Sequence, residues 1–195
     1  MHAWSGLIHT VVHQRNMKVH HTAAVLVSLV GSGIPLGLAE KVTLIFCVLL
    51  VFFAEILNSA LEQLVDLATE ELNPKARVAK DAAAAGVLVL AVGTVVIFVA
   101  ILLHNFDTVV AFEHAIARQV ALGLPLTAAT VVLVTSSGRR PAVIDVAAGV
   151  AAFVLWGLQA RTSFSGAFSG MGFGLVVVAA AAARLARREA AASPP

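Results

Sequence analysis

Charge is scarce in this chain. Only 12% of its 195 residues are Asp, Glu, Lys or Arg, against about a quarter in a typical soluble domain. So little charge cannot cover a water-soluble globule of this size, which excludes a cytosolic enzyme. With 59% hydrophobic residues, it also excludes a disordered chain. Cysteine is nearly absent too. Cys47 stands alone, so there is no intramolecular disulfide framework, and its apolar neighbours make it a small core side chain. A net charge of +2 is too small to point to nucleic acid. The mean hydropathy of +0.94 leaves an integral membrane protein, and lipid offers backbone groups no partners, so its spans are helices.

A helix that crosses a bilayer needs about 20 mostly apolar residues. Six stretches qualify, roughly 22–39, 42–66, 82–103, 119–135, 142–159 and 167–183. Lys and Arg in the short connections orient them. With the N-terminus inside, Arg15, Lys18, Lys75, Arg77, Lys80, Arg139, Arg140, Arg184, Arg187 and Arg188 lie inside, and only Lys41, Arg118 and Arg161 lie outside. Both termini are therefore expected in the cytoplasm. Arg15 and Lys18 precede an apolar stretch, as in a cleaved leader, but the next span follows almost at once and no cleavage is expected. The segment AWSGLIHTVVHQ reads as a short amphipathic surface helix, with Trp4, Leu7, Ile8 and Val11 on one face. His9 and His13 are four apart on another face, lack a third ligand, and are read as interfacial side chains.

The second span is the anomaly. Glu55, Asn58, Glu62 and Asp66 interrupt its hydrophobic run at spacings of three, four and four. At about 100° per residue they share one face within about 80°, with Ser59 at its edge. From Glu55 to Asp66 the stripe climbs about 16 Å. Each acid at membrane depth costs on the order of 2.5–3.5 kcal/mol, so Glu55 and Glu62 point to function. Asp66, nearest the loop, is equally well read as a boundary residue.

Carboxylates and an amide oxygen are hard ligands, suited to Mg²⁺ bridging substrate phosphates rather than to zinc. A further carboxylate can take a proton from a hydroxyl nucleophile. The third span opens with Lys80 and Asp81, and Lys75 and Arg77 bring more positive charge to the same boundary. Phosphoryl transfer needs cations on the equatorial oxygens, a bridging metal and an oriented nucleophile, and about 30 residues hold all of these. A glycine-rich phosphate loop and a protein-kinase signature are both lacking. Taken alone, Lys80 reads as an ordinary basic anchor.

The run AEILNSALEQLVD, followed by KARVAKDAAAAGVLVLA, closely resembles the prokaryotic diacylglycerol kinase family, which includes undecaprenol kinases. The upstream segment GLIHTVVHQRNMKVH resembles that family's N-terminal motif, and the likeness covers about residues 4–103. The resemblance implies a small homotrimeric kinase of the bacterial inner membrane with sites shared between subunits. It would move the terminal phosphoryl of MgATP to a lipid hydroxyl, diacylglycerol or a polyprenol such as undecaprenol. RNMKVH and KDAAAAGVLVLA lean toward the undecaprenol branch. By position, Glu55 would be the general base and Glu62 a metal ligand with Asn58 beside it. Lys80 and Asp81 would contact the nucleotide. The family's second metal-binding Glu, just before the RN pair, is Gln14 here, which removes one negative charge from the metal site. This implies weaker metal binding, lower activity, or a non-catalytic scaffold. Asn73 stands where many relatives carry His.

Residues 1–103 are thus expected to form the kinase-like domain, and residues 104–195 a three-span extension of unassigned role. The stretch HNFDTVVAFEHAIARQ is expected as an external linker. Acids are almost absent beyond it, and Asp145 reads as a local ion pair with Arg139 and Arg140 at a helix start. Gly166, Gly170 and Gly174, four apart, suggest close helix packing. A fused lipid phosphatase is excluded: GRRP and RTSFSG only faintly echo its motifs, and no His follows His114. An ion path is disfavoured because the acids cluster in one half of the bilayer. RLARREAAASPP reads as a basic anchor with a disordered tail.

Overall fold

The computed structural model describes residues 3–69, 73–137 and 139–192. Among these residues are eight helices and no strand: α1 (Ala3–His13), α2 (Arg15–Gly33), α3 (Leu38–Ala68), α4 (Pro74–His104), α5 (Phe106–Ala111), α6 (Glu113–Val134), α7 (Ala142–Arg161) and α8 (Gly166–Ala192). Five of them, α3, α4, α6, α7 and α8, are long and apolar enough to cross a membrane.

The expected first span falls in α2, which starts seven residues earlier and stops at Gly33. Its 19 residues, about 28 Å of helix, are long enough to cross, but polar side chains make up a larger share of it than of the other five. The reason is its position. α2 packs against α6, α8 and α3, so its polar side chains can find partners within the protein. His21 is fully buried and its Nε2 lies 2.9 Å from the Leu175 carbonyl oxygen, while the Ser28 hydroxyl donates to the Phe168 carbonyl at 2.8 Å. Such partners are what make polar side chains tolerable inside a bundle.

These pairings fix the course of the chain. α2 runs antiparallel to α8, since His21 meets Leu175 and Ser28 meets Phe168. It is also antiparallel to α3, because Asn16 shares a cavity wall with Asn58 and Val27 shares one with Val48. α1 lies on the last turns of α8, where His13 pairs with Glu189 at 3.2 Å. Both described chain ends therefore sit at one end of the bundle, and the ten basic residues read as inside gather there. The end of α3 and the start of α4 sit at that end, while Glu40 and Asn105 pair at 2.6 Å at the other. Each helix of the α3–α4 pair has 31 residues, about 46 Å, well beyond the ~30 Å hydrocarbon layer. The pair must project into water.

Several expectations need correction. The apolar face of α1 is not presented to lipid: Ile8 and Val11 are buried in the core formed with α2 and α8, and only Trp4 is exposed. The linker after His104 is helical, with α5 inside it and α6 beginning at Glu113. Gly166, Gly170 and Gly174 have open space where a side chain would go. The close approaches are elsewhere. A Cβ on Gly31 would lie 2.4 Å from the Phe168 ring, and one on Gly123 2.3 Å from Leu29. The basic anchor is not loose chain, because α8 continues to Ala192; residues 193–195 lie outside the described residues.

Asp145 has a wider set of partners than a local pair. It is buried, accepts from Ser136 at 2.5 Å and Arg140 at 3.0 Å, and pairs with Arg187 of α8 at 2.5 Å. Arg187 also donates to the Arg140 and Pro141 carbonyls. Arg139 takes no part. This cluster ties the α6–α7 connection to α8.

Candidate active site

Glu55 sits in the middle of α3, where the helix leaves the apolar run VTLIFCVLLVFFA. It is 1% exposed, and neither carboxylate oxygen has a hydrogen-bond partner among the described residues. An acid hidden this completely without a partner is costly unless it has a task. Glu55 borders a cavity of about 240 Å³ between α2, α3 and α4, lined also by Asn16, His20, Asn58, Ala84 and Leu88.

Asn58, one turn on, is also buried. Its amide nitrogen donates to Glu62 Oε1 at 2.9 Å, while its Oδ1 is unpartnered. The spacing read from the sequence thus yields a contiguous strip: a free carboxylate, a free amide oxygen, and an oriented carboxylate nearer water. The Ser59 hydroxyl instead donates to the Glu55 backbone carbonyl at 2.9 Å, a helix-internal bond that leaves the strip.

α4 begins earlier than expected. Asn73 Oδ1 accepts from the Lys75 backbone at 2.9 Å and Pro74 occupies the first turn, so Lys75, Arg77, Lys80 and Asp81 are helical. Lys80 is half-buried one turn before Ala84 of the cavity wall, and its ammonium pairs with Asp66 across the hairpin. Asp81 lies 3.7 Å from Arg77, in a pair so exposed that it adds little stability. Gln14 caps the start of α2, half-buried and making no capping bond. Neither Gln14, Glu62, Lys80 nor Asp81 lines the Glu55 cavity.

Two cavity residues escape a reading based on acids. Asn16 and His20 come from α2 and are four apart, so they share a face. Polar side chains recur along α2, so their four-residue spacing alone does not single this pair out. His20 and Ala91 also line a second cavity of about 180 Å³, whose walls are otherwise Ala, Val, Phe and Thr94. The cavity at Glu55 and this more apolar one therefore adjoin, sharing His20 and Ala91.

Among the described residues no three His, Cys, Asp or Glu side chains come together as a metal cage. The donor chemistry still fits Mg²⁺, which is usually held by one or two carboxylates plus substrate phosphates. The orphaned Asn58 oxygen and the Glu62 carboxylate are of that kind.

An all-helical membrane bundle with a buried, unpartnered carboxylate, oxygen donors and a lysine near its aqueous rim has the makings of a phosphotransferase that works at a lipid surface. Comparison with known proteins makes this specific. The family model described as prokaryotic diacylglycerol kinase matches residues 1–102, and the chain belongs to that family. It is a lipid kinase of the ATP-using kind and a multi-pass membrane protein. An undecaprenol kinase of Bacillus subtilis is 38% identical over 92 residues, covering 47% of this chain and 75% of the relative. A diacylglycerol kinase of Synechocystis is 34% identical over 97 residues, 49% of this chain but only 55% of that relative. The diacylglycerol kinase of Escherichia coli K12 is 29% identical over 105 residues, 54% of this chain and 86% of the relative. No solved structure matches the chain.

Proposed function

We propose that residues 1–103 transfer the terminal phosphoryl of MgATP to the hydroxyl of diacylglycerol, at the cytoplasmic face of a bacterial inner membrane. The single observation that carries this is the buried, unpartnered Glu55 carboxylate beside an apolar chamber. A lipid tail in the chamber lined by Val48, Val51, Phe52 and Phe98 would bring its hydroxyl past His20 to Glu55. Glu55 takes the hydroxyl proton as the oxygen attacks phosphorus, leaving ADP and a lipid phosphate.

Glu62, held by Asn58, and Gln14 would hold Mg²⁺, whose chemistry is to neutralise charge on the phosphate oxygens. Lys80 contacts the nucleotide, and Asp66 restrains its ammonium until then. Asp81 supports the nucleotide from the outer side of α4. Both termini are cytoplasmic, and residues 104–195 form an extension that packs behind α2. The exposed length of α4, in which only Val87 is buried among the described residues, is the surface through which a homotrimer forms.

A second acceptor, undecaprenol, is favoured by the relative at 38% identity, which carries that name. The deciding experiment supplies purified protein with MgATP and either lipid, and measures lipid phosphate. Product from diacylglycerol supports the first reading, and product from undecaprenol alone supports the second. If neither reacts, even in Gln14→Glu, the kinase reading fails for these two substrates.

A further inference from the structure

Away from the candidate site, a cavity of about 290 Å³ lies between α1 and the last turns of α8. Its walls bring together Trp4, Ser5 and Ile8 of α1 with Arg184, Leu185 and Arg188 of α8. The two arginines are one turn apart on one helix face, close enough for both to reach a single phosphate. Their neighbours are engaged: Arg187 holds Asp145, and Glu189 pairs with His13. Arg184 and Arg188 make no hydrogen bond or ion pair with any described residue, and no carboxylate lines the cavity. The cleft is thus a pocket of uncompensated positive charge.

Its location specifies the kind of anion. α8 is apolar up to Ala183 and basic from Arg184, so the cleft straddles the boundary between hydrocarbon and water. Trp4 is half exposed there, as tryptophans at headgroup depth are, and Ile8 with Leu185 gives the cleft an apolar floor. A free anion has no use for that floor, whereas a headgroup whose chains continue along α8 does. We propose that this cleft binds the phosphate headgroup of an anionic phospholipid. Arg184 and Arg188 bind the phosphate, the Ser5 hydroxyl donates to it, and Trp4 covers it. The site joins the chain's first helix to its last and is independent of the lipid that is phosphorylated.

The chain has two tryptophans, so Trp156→Phe leaves Trp4 as the only indole reporter. In mixed micelles, brominated phosphatidylglycerol should quench Trp4 at about ten- to thirty-fold lower mole fraction than brominated phosphatidylcholine, the preference expected of two arginines at an anionic surface. Arg184→Gln with Arg188→Gln should abolish the preference in protein that still elutes as one species with unchanged helical circular dichroism. Arg184→Lys with Arg188→Lys should keep most of it. If the Gln pair does not fold, native mass spectrometry of the unsubstituted chain reads the same preference as retained phosphatidylglycerol, lost as salt is raised. Equal quenching by both lipids, or a preference that survives in folded Gln-pair protein, overturns the proposal. Loss of quenching with millimolar inorganic phosphate reassigns the cleft to free anions and also overturns it.

Discussion

Replacing Glu55 by Gln tests the proposed base against a structural role, because the two roles predict opposite outcomes. Gln keeps the size of the side chain and removes the ability to accept a proton. Neither Glu55 oxygen is bonded to a described residue, so the swap breaks no hydrogen bond. It also relieves the cost of a carboxylate at membrane depth, on the order of 2.5–3.5 kcal/mol, against the demands of a buried amide. Thermal stability in detergent should therefore hold within about 1 kcal/mol of the unsubstituted chain, or rise. Turnover should fall by about 10²- to 10⁴-fold, the usual worth of a general base, or about 2.7–5.4 kcal/mol of barrier. The KM for ATP should move little, since Glu55 lies up the helix from the rim where Lys80 stands. Glu55→Asp withdraws the carboxylate by one carbon–carbon bond, about 1.5 Å, and should retain partial turnover. The assay follows labelled phosphate into extractable lipid. A Glu55→Gln protein that keeps more than a tenth of normal turnover refutes the base assignment. So does one that loses several kcal/mol of stability in step with its activity, which would make Glu55 a structural residue.

Gln14→Glu restores a negative charge where the family's motif has one, and should lower the Mg²⁺ needed for half-maximal rate about fivefold, the effect of roughly 1 kcal/mol. Greater heat resistance with an unchanged Mg²⁺ requirement would show instead that position 14 only caps α2. Asp145→Asn leaves Arg140 and Arg187, each about a quarter exposed, without their shared anion. It should cost about 3 kcal/mol in heat inactivation while the surviving enzyme turns over normally. Gly31→Ala puts a methyl against the fully buried Phe168 ring and should cost about 1–2 kcal/mol net of the helix-propensity gain. Gly170→Ala, which meets open space, should be neutral or slightly stabilising, and equal effects at the two positions would contradict the packing described.

The parts of this molecule that local rules govern were legible before any coordinates. Long apolar runs marked the five spanning helices, because a span's length is imposed by the bilayer and not by its neighbours. The spacing of Glu55, Asn58 and Glu62 marked a helix face, because i, i+3 and i, i+4 geometry is local. What was hidden depends on which helix lies beside which. Arg187 reaches Asp145 across 42 positions, and nothing near either residue announces the other. Gly172 of α8 meets Ser28, while the more regular 166/170/174 series meets nothing, since periodicity marks a face without saying what opposes it. Asn16 and His20 went unassigned for the same reason: their place beside Glu55 exists only once α2 lies against α3.

The length of α3 has a consequence for how two incompatible substrates meet. One is a hydrocarbon that cannot leave the bilayer, and the other is a polyanion that cannot enter it. About 16 Å of a single rigid helix separate Glu55, buried within the bundle, from Asp66, at an exposed end. On the proposed reading, α3 acts as a gauge rod set across the water–oil boundary. It brings the lipid's hydroxyl up and the nucleotide's last phosphate down to a meeting height fixed by covalent geometry. Adding or removing seven residues between the two, close to two turns, would keep the helix faces within about 20° and move that height by about 10.5 Å.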